Sequence, residues 1–154
     1  MTDARDHDEL VAAVAQQVRS LALANERLGQ SFAADQGLNP TDFRALTQIY
    51  EAERSGSPVT PRALANSLSL SPGAVTYSVD RLMASGHVFR ERDETDGRRV
   101  VLRIAPHGHE VASMFFAPLG RAHAVALASY SHEELQVCER FLTDLIGALE
   151  LHDS

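Results

Sequence analysis

Small hydroxyl residues followed by a group of arginines carry the chemistry of this sequence. The segment SPGAVTYS, from Ser71 to Ser78, combines hydroxyl groups with side chains too small to block a close approach. Hydroxyl groups bind phosphates and base edges, and arginine binds both phosphates and guanine. Four arginines (Arg90, Arg92, Arg98 and Arg99) follow within thirty residues. These residues therefore favour recognition of double-stranded DNA.

Two closely spaced helices position the hydroxyl segment. Thr60 precedes Pro61 and Ser71 precedes Pro72, and a hydroxyl N-cap followed by proline starts a helix. Helices joined by so short a turn cross at a steep angle, as in a helix-turn-helix. The apolar residues of the second helix share one face, which predicts an outward face formed by Gly73, Ala74, Thr76, Tyr77, Ser78 and Arg81.

An arginine-rich hairpin follows the second helix. Residues 87–90 and 100–104 have strand composition, and Asp96-Gly97 between them is a turn signal. An arginine at the tip of such a hairpin suits the narrow, electronegative minor groove. We expect Arg98 to enter that groove, while Arg90 and Arg92 follow the phosphates. Arg81 is expected to reach the DNA backbone or to pair with Asp80.

The order of these motifs resembles the MarR family of transcriptional regulators. The resemblance runs from LANSL through SPGAVTYSVDRLMASGHV and Asp96-Gly97-Arg98 to Pro106-His107-Gly108. It implies a mainly α (α+β) fold, with a winged helix-turn-helix DNA-binding region at 40–104. It also implies that Asp96 orients Arg98 at the wing tip. Tyr77, where the family often has arginine, and Ala105, where it commonly has threonine, depart from its pattern.

The two ends of the chain have the pattern of long amphipathic helices. Leucine and valine recur at helical spacing from Leu10 to Leu28 and from Leu135 to Leu149. The resemblance implies that such helices intertwine in a homodimer, which assigns 8–34 and 106–151 to dimerisation. The alternative is a monomeric bundle. A dimer with two-fold symmetry predicts a near-palindromic operator, with half-sites one helical turn apart.

Charge and composition restrict the other functional classes. The net charge is −7, but residues 60–104 hold seven arginines and five acids, a local charge of +2. Cys138 is the single cysteine, the first residues lack a signal peptide, and no apolar run is long enough to span a membrane, so a cytoplasmic protein is expected. Neither the histidine spacing nor any catalytic motif favours a metal, a cofactor or an enzyme.

The predicted DNA-binding surface draws on both helices and the wing. Its members are Arg62, Ser71, Gly73, Ala74, Thr76, Tyr77, Ser78, Arg81, Arg90, Arg92, Asp96, Arg98 and Arg99. Two alternatives stay open: a winged-helix module that binds protein, and a redox-responsive regulator acting through Cys138.

A small-molecule effector is the further expectation from the resemblance. Apolar side chains with a few polar anchors are typical of ligand pockets. Where the first, second and fifth helices meet, the candidates are Phe32, Phe43, Arg44, Leu46, Gln48, Tyr50, His109, Met114 and Phe115. They favour a small aromatic or carboxylic-acid ligand. The competing interpretation is that the aromatic residues are simply core.

Overall fold

The computed structural model describes the backbone of residues 2–93 and 96–152, and side chains from residue 6 onward except at 94, 95, 150 and 152. It contains six helices and one two-stranded sheet within these residues, which confirms the predicted class. The elements are α1 (Thr2–Asp35), α2 (Pro40–Arg54), α3 (Pro61–Ser67), α4 (Pro72–Ala84), β1 (Val88–Arg92), β2 (Val100–Ile104), α5 (Pro106–Leu127) and α6 (His132–His152). The chain divides into two compact units, Met1–Ser113 and Met114–Ser154.

Helices α2, α3 and α4 all begin with a polar N-cap followed by proline. Thr60 Oγ1 accepts the Ala63 amide at 3.1 Å, and Ser71 Oγ accepts the Ala74 amide at 3.2 Å, as the sequence predicts. The N-cap of α2 is Asn39, although Thr41 and Asp42 also suit a helix start in the sequence. Asn39 is correctly spaced to satisfy the Asp42 amide, which its side chain binds at 2.9 Å.

The wing is an antiparallel hairpin. Strands β1 and β2 pair from Val88 opposite Ile104 to Arg92 opposite Val100. On the other side of β2, the Leu102 amide donates to the Val59 carbonyl at 2.8 Å. Val59, in the segment before α3, therefore holds the wing beside α3 and α4.

The core of the first unit lies among α2, α3, α4 and the hairpin. Its most deeply buried large side chains, each at most 1% exposed, include Leu46, Ile49, Leu64, Leu82 and Leu102. The apolar residues of α4 share one buried face, as the sequence predicts, except that Met83 is only half-buried. In α3, Ala65 is buried while Ala63 is exposed.

Helix α1 is longer than the sequence predicts. The acidic first residues look disordered in sequence, yet the helix starts at Thr2. The alanines at positions 12, 13 and 15 have high helix propensity, which favours a helix that extends toward its N-terminal end. Exposed apolar side chains remain along α1, including Leu10, Leu21 and Leu28.

The second unit comprises the C-terminal part of α5 and the whole of α6. Ser131 and Glu134 form a capping box at the start of α6, in which each backbone amide donates to the other's side chain, at 2.7 and 3.2 Å. None of the described side chains of α6 is buried. No helix in the described part of the chain combines the length and apolar character needed to cross a membrane.

Candidate DNA-binding interface

The outward face of α4 begins with small and hydroxyl residues. Ser71, Gly73, Ala74, Thr76 and Tyr77 are all exposed, as predicted. Ser71 Oγ accepts a backbone amide, so its hydroxyl hydrogen remains available to a phosphate. Thr76 Oγ1 donates to the Pro72 carbonyl at 2.9 Å, which leaves its oxygen lone pairs to accept from a base amino group. The two hydroxyls therefore offer complementary hydrogen-bonding groups.

Ser78 does not belong to this outward face. Its side chain is only 1% exposed, and its hydroxyl donates to Asp42 Oδ1 on α2. The prediction that Ser78 contacts DNA is therefore wrong. It follows Val75 by three residues, so the helical repeat turns it toward α2.

Arg81 is held by α2 rather than by its own helix. Its Nε donates to Asp42 Oδ2 at 2.7 Å, while a terminal nitrogen binds Oδ1 of the same carboxylate. The hydrogen bond with Asp42 raises the pKa of Arg81 above its ordinary value. The expected pairing of Arg81 with Asp80 is wrong, because Asp80 binds Arg90 of β1 at 2.9 Å.

The sequence missed Asp42 as part of this interface. It is 4% exposed and accepts from Ser78, from Arg81 and, at 2.8 Å, from Asn39 Nδ2. In the sequence, its position near Pro40 indicates only a local role at the start of α2. The pairing joins residues 36 and 39 positions apart, which no local pattern reveals.

The wing tip is shaped by hydrogen bonds to Asp96. Its carboxylate accepts the Arg98 amide at 3.1 Å, and its carbonyl accepts the Arg99 amide at 2.8 Å. Asp96 therefore fixes the backbone of the turn beside Arg98. No ion pair between the Asp96 carboxylate and the Arg98 guanidinium is present among the described residues.

The arginines of α3 and the wing fall into two groups. Arg90 pairs with Asp80, Arg103 with Glu91 at 2.9 Å, and Arg99 lies 3.8 Å from Asp93. By contrast, Arg62, Arg92 and Arg98 are exposed and make no ion pair with the described residues. The second group keeps its full hydrogen-bonding capacity for phosphates. That any of these arginines contacts DNA stays a prediction.

The turn after α4 packs tightly against the start of α5. The His87 ring is 5% exposed, lies 4.5 Å from the His107 ring and contacts Ser85 Oγ at 2.7 Å. Burial and the neighbouring His107 lower the pKa of His87. A Cβ on Gly108 would lie 2.1 Å from the His87 carbonyl oxygen, so only glycine fits there. This contact fixes the end of the wing against the helix that follows it.

The predicted ligand residues have different environments. The core of the first unit contains Phe43, Leu46 and Tyr50. The rings of Phe32 and Phe43 are tilted against each other, with centroids 5.5 Å apart. Arg44, Gln48 and His109 are exposed, whereas Met114 and Phe115 belong to the second unit. None of these residues lines the 590 Å³ cleft between the end of α2 and the hairpin, which Pro58, Glu91, Val101 and Arg103 border. Binding of a ligand by these residues stays a prediction.

Other reactive groups are sparse in the described part of the chain. No three histidine, cysteine, aspartate or glutamate side chains there converge in a way that could hold a metal ion. Cys138 is half-buried on α6.

Comparison with known proteins identifies the family. The MarR family matches residues 36–99. HTH-type transcriptional regulator YcgE of Bacillus subtilis (strain 168), itself uncharacterized, is 32% identical over 97% of this chain and 95% of its own length. The chain belongs to the MarR family. A MarR family protein from Bacillus stearothermophilus has the same fold, with a TM-score of 0.68 and 26% identity over 93% of this chain and 97% of its own.

Membership defines the general activity of this MarR-family chain. The family consists of DNA-binding transcriptional regulators, so the prediction of a regulator that is not an enzyme is confirmed. A mutant of S. aureus MepR, whose structure contains an oligodeoxyribonucleotide, shares the fold with a TM-score of 0.55 and 16% identity, over 88% of this chain and 97% of its own.

Proposed function

We propose that this MarR-family chain is a homodimeric repressor that binds a near-palindromic operator. In this proposal a small molecule modulates operator binding. In this proposal α4 enters the major groove and the wing places Arg98 in the adjacent minor groove. The two α4 helices of a dimer would occupy half-sites one helical turn apart. The proposal places the protein in the cytoplasm, where it reaches its operator.

The exposed half of α4 is the observation that carries the proposal. Its outward residues are small or carry hydroxyl groups, so the helix can approach base edges closely. Three exposed arginines without ion pairs in the described residues, Arg62, Arg92 and Arg98, supply positive charge to the same unit. The α4 face supports base recognition, and the arginines support backbone binding.

The apolar surface of α6 supports the homodimer. Leu142, Ile146 and Leu149 are 46%, 56% and 61% exposed, and they recur at helical spacing. A contiguous apolar stripe of this kind marks a protein interface. Because α1 also exposes leucines, a second copy of the chain offers matching apolar helices.

Modulation by a small molecule rests on the polar anchors of the first unit. Arg44 and Gln48 are exposed on α2, and His109 lies 4.0 Å from Glu53. An aromatic or carboxylic-acid ligand bound there would release DNA only by preferring a dimer with wrongly spaced α4 helices. A thermal-shift screen of aromatic acids, followed by DNA binding with each hit, tests this part. A ligand that stabilises the protein without changing operator affinity would contradict it.

The wing arginine offers the direct test of operator binding. Arg98→Ala should weaken binding to the intergenic DNA upstream of the gene by about 1–3 kcal/mol at fixed salt, because a minor-groove contact is lost. Arg54→Ala, which removes the same charge from the C-terminal end of α2, outside the predicted DNA-binding surface and the dimerisation helices, is the matched control and should bind like the unmodified protein. Gel-shift titrations measure both. An unchanged isotherm for Arg98→Ala would contradict the minor-groove role, and absence of any shift would favour a protein-binding module.

A further inference from the structure

One large aromatic side chain interrupts the small-residue face of α4. Tyr77 is 67% exposed, and its neighbours on this face are Gly73, Ala74 and Thr76. An exposed aromatic ring has a cost, since it presents apolar surface to water. Tyr77 is the largest exposed side chain on this face of α4.

A fixed guanidinium supports the Tyr77 ring. The central carbon of the Arg81 guanidinium lies 4.3 Å from the ring centroid, a cation–π contact. Asp42 binds the same guanidinium through both of its carboxylate oxygens and is itself 4% exposed. Tyr77 therefore rests on a support anchored in the core. An aromatic side chain held in this way loses little conformational entropy on binding.

The same contacts remove Arg81 from the groups available to DNA. Nε and a terminal nitrogen are occupied by Asp42, and one face of the guanidinium is covered by Tyr77. The DNA-facing group at this point is therefore the tyrosine ring. A phenol ring cannot form the two-donor contact by which arginine reads guanine, but its apolar edge packs on the C5-methyl group of thymine.

We infer that Tyr77 is a specificity-determining residue that selects thymine through its C5-methyl group, and that Asp42 and Arg81 are its positioning residues. This inference rests on the proposed function, because it requires α4 in the major groove. Each half-site should then contain one thymine whose methyl group Tyr77 covers. By symmetry the operator should contain two.

Selection from a randomised duplex library tests the proposed operator binding and the role of Tyr77 separately. The full-length protein, Tyr77→Phe and Tyr77→Ala are each used to enrich bound sequences. The unmodified protein should enrich a two-fold symmetric motif, and Tyr77→Ala should lose the preference for thymine at one position per half-site only. Failure of the unmodified protein to enrich any sequence would overturn the proposed function. An enriched motif that Tyr77→Ala leaves unchanged would overturn this inference alone.

Replacing that thymine by deoxyuridine isolates the methyl group. The unmodified protein should bind the deoxyuridine operator about fourfold more weakly per half-site, the effect of one lost apolar group of this size. Tyr77→Phe should retain this discrimination, because the ring makes the contact. Tyr77→Ala should bind both operators equally. Equal binding of the two operators by the unmodified protein would contradict the inference.

The ratio of affinities for the thymine and deoxyuridine operators also tests the positioning role of Asp42 and Arg81. Asp42→Asn and Arg81→Lys each weaken the anchored support, so the ratio of thymine to deoxyuridine affinity should fall toward one. A purely structural role would reduce both affinities by the same factor and leave the ratio unchanged. Because Asp42→Asn removes a buried charge partner, circular dichroism checks its folding. Arg81 is partly exposed, so Arg81→Lys keeps the test decisive if Asp42→Asn unfolds.

Discussion

The winged-helix core buries its leucines, whereas α6 leaves its leucines exposed. Leu64, Leu82 and Leu102 are at most 1% exposed, whereas Leu142 and Leu149 on α6 are 46% and 61% exposed. Apolar burial stabilises a folded chain in proportion to the area removed from water. The first set therefore stabilises the fold of the first unit, while the second set is available for association. One hydrophobic pattern thus predicts a helix face but not what covers it.

The largest expected effect lies in the core. Leu82→Ala should lower the free energy of unfolding by about 2–5 kcal/mol, because a fully buried leucine in α4 leaves a cavity. Urea denaturation followed by circular dichroism measures the loss. Leu142→Ala is the matched change on α6, and its effect should appear in the dimer dissociation constant measured by sedimentation. Unchanged unfolding of Leu82→Ala would contradict the comparison.

A glycine pair on α5 sharpens the comparison between the two units. Gly108→Ala should lower the free energy of unfolding by about 1–3 kcal/mol, because the new Cβ would overlap the His87 carbonyl oxygen. Gly120→Ala lies on the same helix with nothing within 4 Å and should be neutral or stabilising. Thermal denaturation of both variants measures the difference. Equal effects of the two substitutions would contradict the role of the His87 contact.

A charge on α6 tests whether its exposed stripe is an interface. Ile146→Asp should raise the dimer dissociation constant by on the order of tenfold or more, because an unpaired carboxylate would be buried on association. Ile146→Leu is the control and should associate like the unmodified protein. Sedimentation equilibrium at several loading concentrations measures both constants. An unaffected dimer would place the interface on another surface.

The smallest expected effect is a pH dependence from the core. Since burial and His107 lower the pKa of His87 below its ordinary value of 6.5, the folded state binds this proton less readily than the unfolded state. The free energy of unfolding should therefore fall as the pH drops from about 6.5 toward the lowered pKa of the folded state. Well above pH 6.5, His87 should have no effect on stability. Asp42 opposes the shift without reversing it.

His87→Asn should reduce that pH dependence. Urea unfolding at about pH 7.5 and about pH 5.5 measures the change in stability for each variant. His132→Asn, on the exposed start of α6, is the matched control and should retain the full dependence. If the two substitutions had the same effect, the burial of His87 would not be its cause.

Local patterns predicted most of the elements but less of the interface. Thr60-Pro61, Ser71-Pro72 and the Ser131–Glu134 box act within a few residues, so the sequence predicts where their helices begin. The outward placement of Thr76 and Tyr77 follows from the apolar repeat of α4. Ser78 did not follow the expected assignment, because the same repeat allows a hydroxyl to turn inward when a partner is present.

The sequence by itself determined the starts of α3, α4 and α6, the hairpin turn, the apolar face of α4 and the family, because each depends on neighbouring residues or on their order. Only the tertiary structure decided which polar groups are available to DNA. Asp42 binds Ser78 and Arg81, and Asp80 binds Arg90, across distances in the chain that no repeat encodes. Packing of α2 against α4 excludes water around Asp42, so this buried carboxylate requires partners. The Asp80–Arg90 pair stays exposed and depends on tertiary structure only because it needs α4 and β1 side by side.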